Sequence, residues 1–410
     1  MHLLIISTDF PPEIGSASHL FYELAKKFVR NGHKVTFVTG FPRYYVNEIP
    51  SKYKKGLLLR EQVEGINVLR LKLPSIPRNI PVLRGIDHFA PSIIFSMAAW
   101  LIKDRIDAIL VYSPPLSLGF TALFLRKIKG SPIIFNVQDL FPQNAIDLGL
   151  LKSNMLIGIF RRMESFVYKK ADFITVHSEG NRNHVVSMGA SPNKVKIIPN
   201  WIDMDFIKTG SRENNLREIW GIQDQFVVSF AGIIGYSQDL DVVIESAYKL
   251  KQYHNIKFLL IGDGVEKRRL QDKTSSLGLD NVKFLPMQPR ETYPQILQIS
   301  DACLVTLRKD VKTPVVPSKL LSIMAAKRPV LATLPSNGDA PKIIREARCG
   351  YCYEAGDSEG LKKGILKLYN NPHLKREFGQ NGRDYAERNF TLDACAMMYE
   401  ELFDSLTSRR

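Results

Sequence analysis

Short runs of β-branched and aliphatic residues recur through the first half of the chain. They lie at Leu3–Ser7, Val35–Thr39, Val68–Leu71, Ala108–Tyr112, Ile133–Asn136, Phe173–His177 and Val195–Ile198. Runs of this length and composition predict strands. Between the first two, Leu20, Leu24, Ala25 and Phe28 recur at helical spacing, which predicts a helix from about Ser18 to Arg30 that Gly32 stops. The pattern restarts with Phe226–Ala231, Lys257–Ile261, Val282–Leu285, Ala302–Val305 and Val330–Ala332. Strands alternating with helical stretches predict an α/β fold of βα units around parallel sheets.

The stretch between the two series, PNWIDMDFIKTGSRENN, is polar and carries Pro199 and Gly210, so a linker is expected near residues 200–215. A chain of 410 residues exceeds the size at which one core stops growing. The expected division is 1–205, 206–390 and a C-terminal helix within 391–410 that packs back onto the first domain. Two doubly wound domains facing each other would make a cleft walled by the carboxyl ends of both sheets. No internal repeat of the solenoid kind is evident.

Composition narrows the picture. A hydrophobic share of 45% with 24% charged residues excludes a disordered chain. The net charge of +15 and pI near 9.5 call for an anionic partner: nucleic acid, anionic lipid or sugar phosphate. No RNA- or DNA-binding signature occurs, so nucleic acid is not expected. Four cysteines are too few for a disulfide framework. Cys349 and Cys352 form a C-x-x-C within a strand-like stretch and read as buried small hydrophobes rather than a redox or metal pair. The N-terminus lacks the basic n-region and cleavage site of a signal peptide. The longest apolar run, Phe89 to Ile102, is interrupted by Pro91, Ser92 and Ser96 and is shorter than the ~20 residues of a membrane span. A cytoplasmic location follows, with a peripheral position on the inner face of the membrane as the extension of it. The basic segment Arg43–Arg84 followed by Phe89–Ile102 suits docking on anionic lipid, and equally a solvated face beside a core helix.

Three segments carry candidate chemistry. Phe258–Gly264, FLLIGDG, is an apolar strand ending in Gly262-Asp263-Gly264 before a helix, where glycines let amide groups approach an anion. It lacks the full G-x-G-x-x-G of dehydrogenases. Phe10–Ser18, FPPEIGSAS, offers Gly15 and Ser16 as a seat for a phosphate or sugar hydroxyl, or simply a tight turn with an N-cap serine. In Val316–Ala332, Pro317 and Ser318 fit a helix start with Lys319 in its first turn. A lysine there opposes the helix dipole unless an anion binds.

Together these segments resemble glycosyltransferase family 4, the retaining enzymes of the GT-B fold, and within it the bacterial polysaccharide branch with fucosamine-transferase-like and colanic-acid proteins. The resemblance is carried in order by STDFPPEIGSAS, NGHKVTFVTG, YSPPLSLG, NVQDLFPQNAIDLG, KKADFITVHSEG, KVKIIPNWID, FAGIIGYSQDLDVVIESA, LLIGDG, NVKFLP and PSKLLSIMAAKRPVLA. It implies a nucleotide-sugar donor, a uridine diphosphate sugar from the branch resembled, bound by the C-terminal domain. It implies a lipid-linked or polysaccharide acceptor on the N-terminal domain, and no metal or other cofactor. Gly232, Gly262, Asp263 and Gly264 would then line the nucleotide and diphosphate. Ser318, Lys319, Leu320 and Ser322 would face the diphosphate and ribose. Leu285, Pro286 and Met287 would hold the base, and Arg290 and Arg308 would be further cations. Gly15, Ser16 and Asp139 would lie near the sugar and acceptor, with Asp139 and Lys319 catalytic. The sequence departs from the family pattern at Ile233 and Gln238, where Arg and Lys are common, and at Pro314 and Ser322, the places of a Glu-x7-Glu. It departs again at Gln138, where His is frequent. A catalytically impaired nucleotide- or glycan-binding protein and a sugar-nucleotide epimerase are the alternative readings.

Overall fold

The computed structural model describes residues 1–13, 16–43, 49–54, 56–74, 81–314 and 316–408; the side chains of 16, 81–87 and 99 are outside that description. The chain divides into two compact units, Met1–Asn200 with Leu392–Arg410, and Trp201–Thr391. Trp201–Asp205 thus belong to the second unit, not the first as expected. The reason is local: Trp201 is buried, and the Ile202 N–H donates to Phe390 O at 2.8 Å.

The first unit holds one eight-stranded sheet. Its strands are β1 (His2–Ile6), β2 (Lys34–Gly40), β3 (Leu58–Val63), β4 (Ile66–Leu71), β5 (Ala108–Ser113), β6 (Ile133–Val137), β7 (Phe173–Val176) and β8 (Val195–Ile197). Their order is β3-β4-β2-β1-β5-β6-β7-β8. Every pairing is parallel except β3 on β4, where Leu58 faces Leu71 and Val63 faces Ile66. All five residues of β1, β5's six and β6's five are buried, as strands covered on both faces require.

Helix Ser16–Arg30 covers one face with Phe21, Leu24, Ala25 and Phe28, all fully buried. This i, i+3, i+4, i+7 stripe puts Phe21 in the core where Leu20 was expected, and Leu20 is half-buried. Helix Leu392–Thr407 completes this unit from the far end of the sequence. Phe403 meets Phe28 edge-on at 5.5 Å, and Lys27 pairs with Asp393 at 2.6 Å. The buried Tyr399 hydroxyl accepts from Asn136 Nδ2 at 2.9 Å and lies 3.2 Å from Thr175 Oγ1. Burying Tyr399 and Phe403 contributes about 1.5–3 kcal/mol for each ring.

The second unit holds six parallel strands, β9 (Phe226–Ala231), β10 (Ile256–Ile261), β11 (Val282–Leu285), β12 (Ala302–Thr306), β13 (Val330–Leu334) and β14 (Gly350–Glu354). Their order, β11-β10-β9-β12-β13-β14, reverses direction between β9 and β12. In a doubly wound sheet, ligands bind beyond the carboxyl ends of the strands flanking such a switch point.

Two expectations of the sequence need comment here. Cys349 and Cys352 are free thiols, and burial pushes them up to about 12 and about 11, so neither is a ready thiolate. Three positions apart along an extended edge, they point to opposite faces and cannot share a ligand. Among the described residues no helix is long and apolar enough to cross a membrane.

Candidate functional site

The site is built on the switch point of the second unit. β9 ends at Ala231 and turns at Gly232; β10 ends at Ile261 and turns at Gly262. Gly232, Gly262 and Gly264 hold φ of +140°, +151° and +152°, a region that L side chains rarely adopt. Space decides the matter as firmly as torsion. A Cβ on Gly262 would lie 1.8 Å from Gly232 O, and one on Gly264 would lie 2.3 Å from Ile234 O. The two loops therefore cross at backbone contact, held by Gly232 N–H to Ile261 O at 2.9 Å and Ile234 N–H to Asp263 O at 2.8 Å. Gly262→Ala is expected to cost at least about 2 kcal/mol in chemical denaturation, because both the strained torsion and the backbone overlap must be relieved. An unchanged midpoint would show that the loops can part freely.

Helix Ser318–Ala325 follows β12. Pro317 precedes it and offers no side-chain cap, while the Leu320 N–H donates to Pro317 O at 2.9 Å. The amides of Ser318 and Lys319 have no acceptor among the described residues. The Lys319 side chain runs from this turn to the glycine crossing. A Cβ on Gly232 would lie 2.8 Å from Lys319 Cε and 3.1 Å from its Nζ, so the missing side chain is the space the lysine uses. The ammonium lies over the Phe230 ring at 4.6 Å and donates to Gln238 Oε1 at 3.3 Å. Among the described residues no carboxylate pairs with it. Loss of water lowers its pKa to about 8. An uncompensated ammonium beside two free amides is a seat for an anion.

The other expected residues fall unevenly around this centre. Asp263 is exposed, and its Oδ1 accepts from Gly264 N–H at 2.8 Å. The carboxylate thus closes its own loop and uses the Gly264 amide. Leu320 is fully buried and its N–H is spent on Pro317, so it packs the core instead of facing a ligand. Ser318 is exposed at the helix start. Ser322 is buried, with its hydroxyl directed 3.5 Å from Ser318 O, a marginal bond. Met287 is half-buried just beyond β11. The Arg290 guanidinium lies 4.2 Å from the Phe206 ring centre, and exposed Arg308 pairs with Asp310 at 2.7 Å. Of the three expected cations, Lys319 has its side chain against the glycine crossing.

In the first unit, Asp139 is exposed just beyond β6. Its neighbour Gln138 is locked in a reciprocal amide pair with Asn200, Nε2 to Oδ1 at 2.9 Å and Nδ2 to Oε1 at 2.8 Å. Gln138 also donates to Asn136 Oδ1 at 2.9 Å, which links this corner to Tyr399. Gly15 lies outside the described residues, and Ser16 begins helix Ser16–Arg30. The basic segment is partly consumed by structure. Fully buried Arg70 reaches Pro11 O at 2.6 Å and Gly40 O at 3.2 Å, and pairs with Glu61 at 2.6 Å. Lys52 joins the same carboxylate at 2.7 Å.

Two roles escaped the sequence reading, which counted Arg70 in the basic segment and did not single out Lys267. Arg70 braces the loop after β1 from beneath. Lys267 donates to Gly262 O at 2.8 Å and Leu285 O at 3.4 Å, holding the ends of β10 and β11 together.

Comparison with known proteins meets this geometry from both ends of the chain. Residues 15–201 match the family described as glycosyl transferase 4-like domain, and residues 212–385 match glycosyl transferases group 1. Escherichia coli K12 WcaI, named for a glycosyl transferase of colanic acid biosynthesis, is 25% identical over 402 residues, 96% of this chain and 97% of its own. Pseudomonas aeruginosa WbjE, named as a glycosyltransferase, is 27% identical over 72% of this chain and 74% of its own. Among solved structures, sucrose-phosphate synthase from Thermosynechococcus elongatus superposes with a TM-score of 0.79 at 16% identity, over 100% of both chains. Anabaena HepE in complex with UDP-glucose does so with 0.75 at 17% identity, over 99% of this chain and 100% of its own. These likenesses agree with two doubly wound units, and the chain belongs to the GT-B glycosyltransferases that join a glycosyl transferase 4-like domain to a group 1 domain.

Proposed function

We propose that this enzyme moves a sugar, with retention of configuration, from a uridine diphosphate sugar to a lipid-linked or growing polysaccharide acceptor in cell-surface glycan synthesis. The observation that carries the reading is Lys319: a desolvated ammonium set over the Gly232 turn beside the amides of a helix start, with no carboxylate partner for the one and no acceptor for the others among the described residues. When the bond from the anomeric carbon to the diphosphate breaks, negative charge grows on the leaving oxygen. Donors already fixed where that charge appears lower the barrier. Lys319 Nζ and the Ser318 and Lys319 amides are such donors. In this reading they carry the charge without a metal ion, and Gln238 holds the ammonium in place while leaving its charge unneutralised. Asp139 serves the acceptor side from the first unit. The donor is suggested by HepE, whose structures contain UDP, UDP-glucose, or UDP and glucose. The pathway is suggested by the name of WcaI. The reaction then takes place in the cytoplasm.

Calorimetric titration with UDP and with uridine tests the reading. Charge-assisted hydrogen bonds of about 1.5–3 kcal/mol each should make UDP bind at least about tenfold more tightly than uridine. Equal affinity for the two would remove the diphosphate seat from the account.

A further inference from the structure

We propose that Asp9, Tyr112 and Asp139 form an acceptor seat in the first unit, and that this seat takes a sugar end bearing free hydroxyls and no negative charge. Resting on the sugar transfer proposed for this enzyme, the assignment adds the chemical class of the acceptor. The first unit has a switch point of its own. Strand order runs outward from β1 through β2 on one side, and from β5 through β6 on the other. Ligands of doubly wound sheets bind in the crevice beyond such carboxyl ends. Asp9 follows the end of β1, Tyr112 is the penultimate residue of β5, and Asp139 follows the end of β6. The register sets Val111 beside Ile6 and Tyr112 beside Asn136, so the three residues come from adjoining strand ends.

Tyr112 is 6% exposed, its ring meets Phe21 edge-on at 5.0 Å, and its hydroxyl has no hydrogen-bond partner among the described residues. A buried phenol ordinarily has one, and a sugar hydroxyl can supply it. Burial first, then the charges of Asp139 and Asp9, raise the phenol well above its ordinary pKa, so it keeps its proton. Asp9 is half-buried and Asp139 exposed, so both carboxylates can be reached. Asp9 Oδ2 accepts from Thr8 Oγ1 at 2.7 Å, and among the described residues no cation pairs with either acid. Arg70, which reaches Pro11 O in the loop after β1, is held by Glu61 at 2.6 Å. Sugar hydroxyls donate to carboxylates and accept from a phenol, so neighbouring hydroxyls can satisfy all three groups together. A uronate or a phosphate would instead bring a third negative charge to two that lack a counter-ion, and would be repelled.

The test is ligand-detected NMR on the full chain with excess UDP, comparing methyl glucoside and methyl galactoside with methyl glucuronide and methyl galacturonide. At least one neutral glycoside should bind about tenfold or more tightly than its uronate. Tyr112→Phe keeps the ring against Phe21, so its melting temperature should hold while neutral binding weakens about three- to tenfold. Asp9→Asn should tighten uronate binding about threefold or more, since one of the repelling charges is gone. Equal or tighter binding of the uronates, no binding of any glycoside, or wild-type behaviour of both variants overturns the seat. A separate UDP titration keeps the two readings apart. If UDP binds and the glycosides show no such preference, the seat alone falls; if the preference appears without UDP binding, the donor reading alone falls.

Discussion

Lys319→Ala should lower kcat/KM for sugar transfer about 10²–10³-fold, the loss typical of one fixed donor to a developing oxyanion. Its melting temperature should stay near that of the parent. The side chain makes one hydrogen bond of 3.3 Å and one ring contact, and its desolvated charge opposes folding rather than helping it. The pH dependence has a definite sign. Burial holds the free enzyme's ammonium at about 8, below its ordinary value. A bound diphosphate raises it again, so nucleotide binding takes up a proton. Affinity for UDP should be flat below pH 8 and fall by about tenfold per unit above it, until the bound lysine also titrates. In Lys319→Ala that fall should vanish. Normal turnover in the variant, or an identical pH profile, would return Lys319 to a packing role.

Asp301→Ala should lower the thermal midpoint of the second unit by roughly 10–15 °C, from a loss of about 3–5 kcal/mol. Asp301 is buried at the amino end of β12 and accepts from Val227 N–H at 2.9 Å. Its carboxylate also meets Lys375 at 2.5 Å, Arg212 at 2.9 Å and the buried Arg217 at 3.9 Å. Removing it leaves the buried Arg217 with the exposed Glu213, at 3.7 Å, as its acid partner and takes away the buried one. Burial alone would raise the Asp301 pKa, but Lys375, the Val227 amide and Arg212 outweigh it and hold it below the ordinary carboxylate value. The associated stability is therefore complete above the unfolded value of about 3.9 and is lost as pH falls through the lower folded one. Asp301→Asn should lose this acid-sensitive part while keeping an acceptor for Val227. A shift of less than about 3 °C in Asp301→Ala would mean the cluster is solvated in solution.

Local composition made most strands legible and left the edges obscure. β1, β5, β9, β10 and β12 are mostly apolar, with Ser229 in β9 and Lys257 in β10 as interior exceptions, because neighbours cover both faces. β3 reads Leu-Leu-Arg-Glu-Gln-Val and alternates exposed with half-buried positions, so its pattern is that of a polar segment. It becomes a strand by pairing with β4. β14, strand-like in sequence, opens with a glycine and is at most half-buried, which left it outside the apolar series that ends at β13. In the site, the Gly-Asp-Gly turn and a lysine in a helix's first turn were visible because backbone demand and dipole conflict are local. Leu320 was misplaced because sequence cannot tell which amide a preceding carbonyl has already taken. Arg70 and Lys267 were invisible for the opposite reason. The carbonyls that Arg70 reaches are distant in sequence, and Lys267 joins Gly262 O to Leu285 O across two strands, so no local pattern marks either apart from solvated bases.

The seat of Tyr399 has a consequence for synthesis. Asn136, Thr175 and Phe28 leave the ribosome long before the helix that closes over them. The whole of Trp201–Thr391 emerges in between and can complete its own sheet meanwhile. The nascent amino-terminal half thus waits with an open flank, at whose base Asn136 and Thr175 bond each other at 3.0 Å and lack the Tyr399 hydroxyl until then. A chaperone that shields this flank, or a slow-translating stretch before Leu392, would act at the step where the order of emergence and the order of assembly diverge.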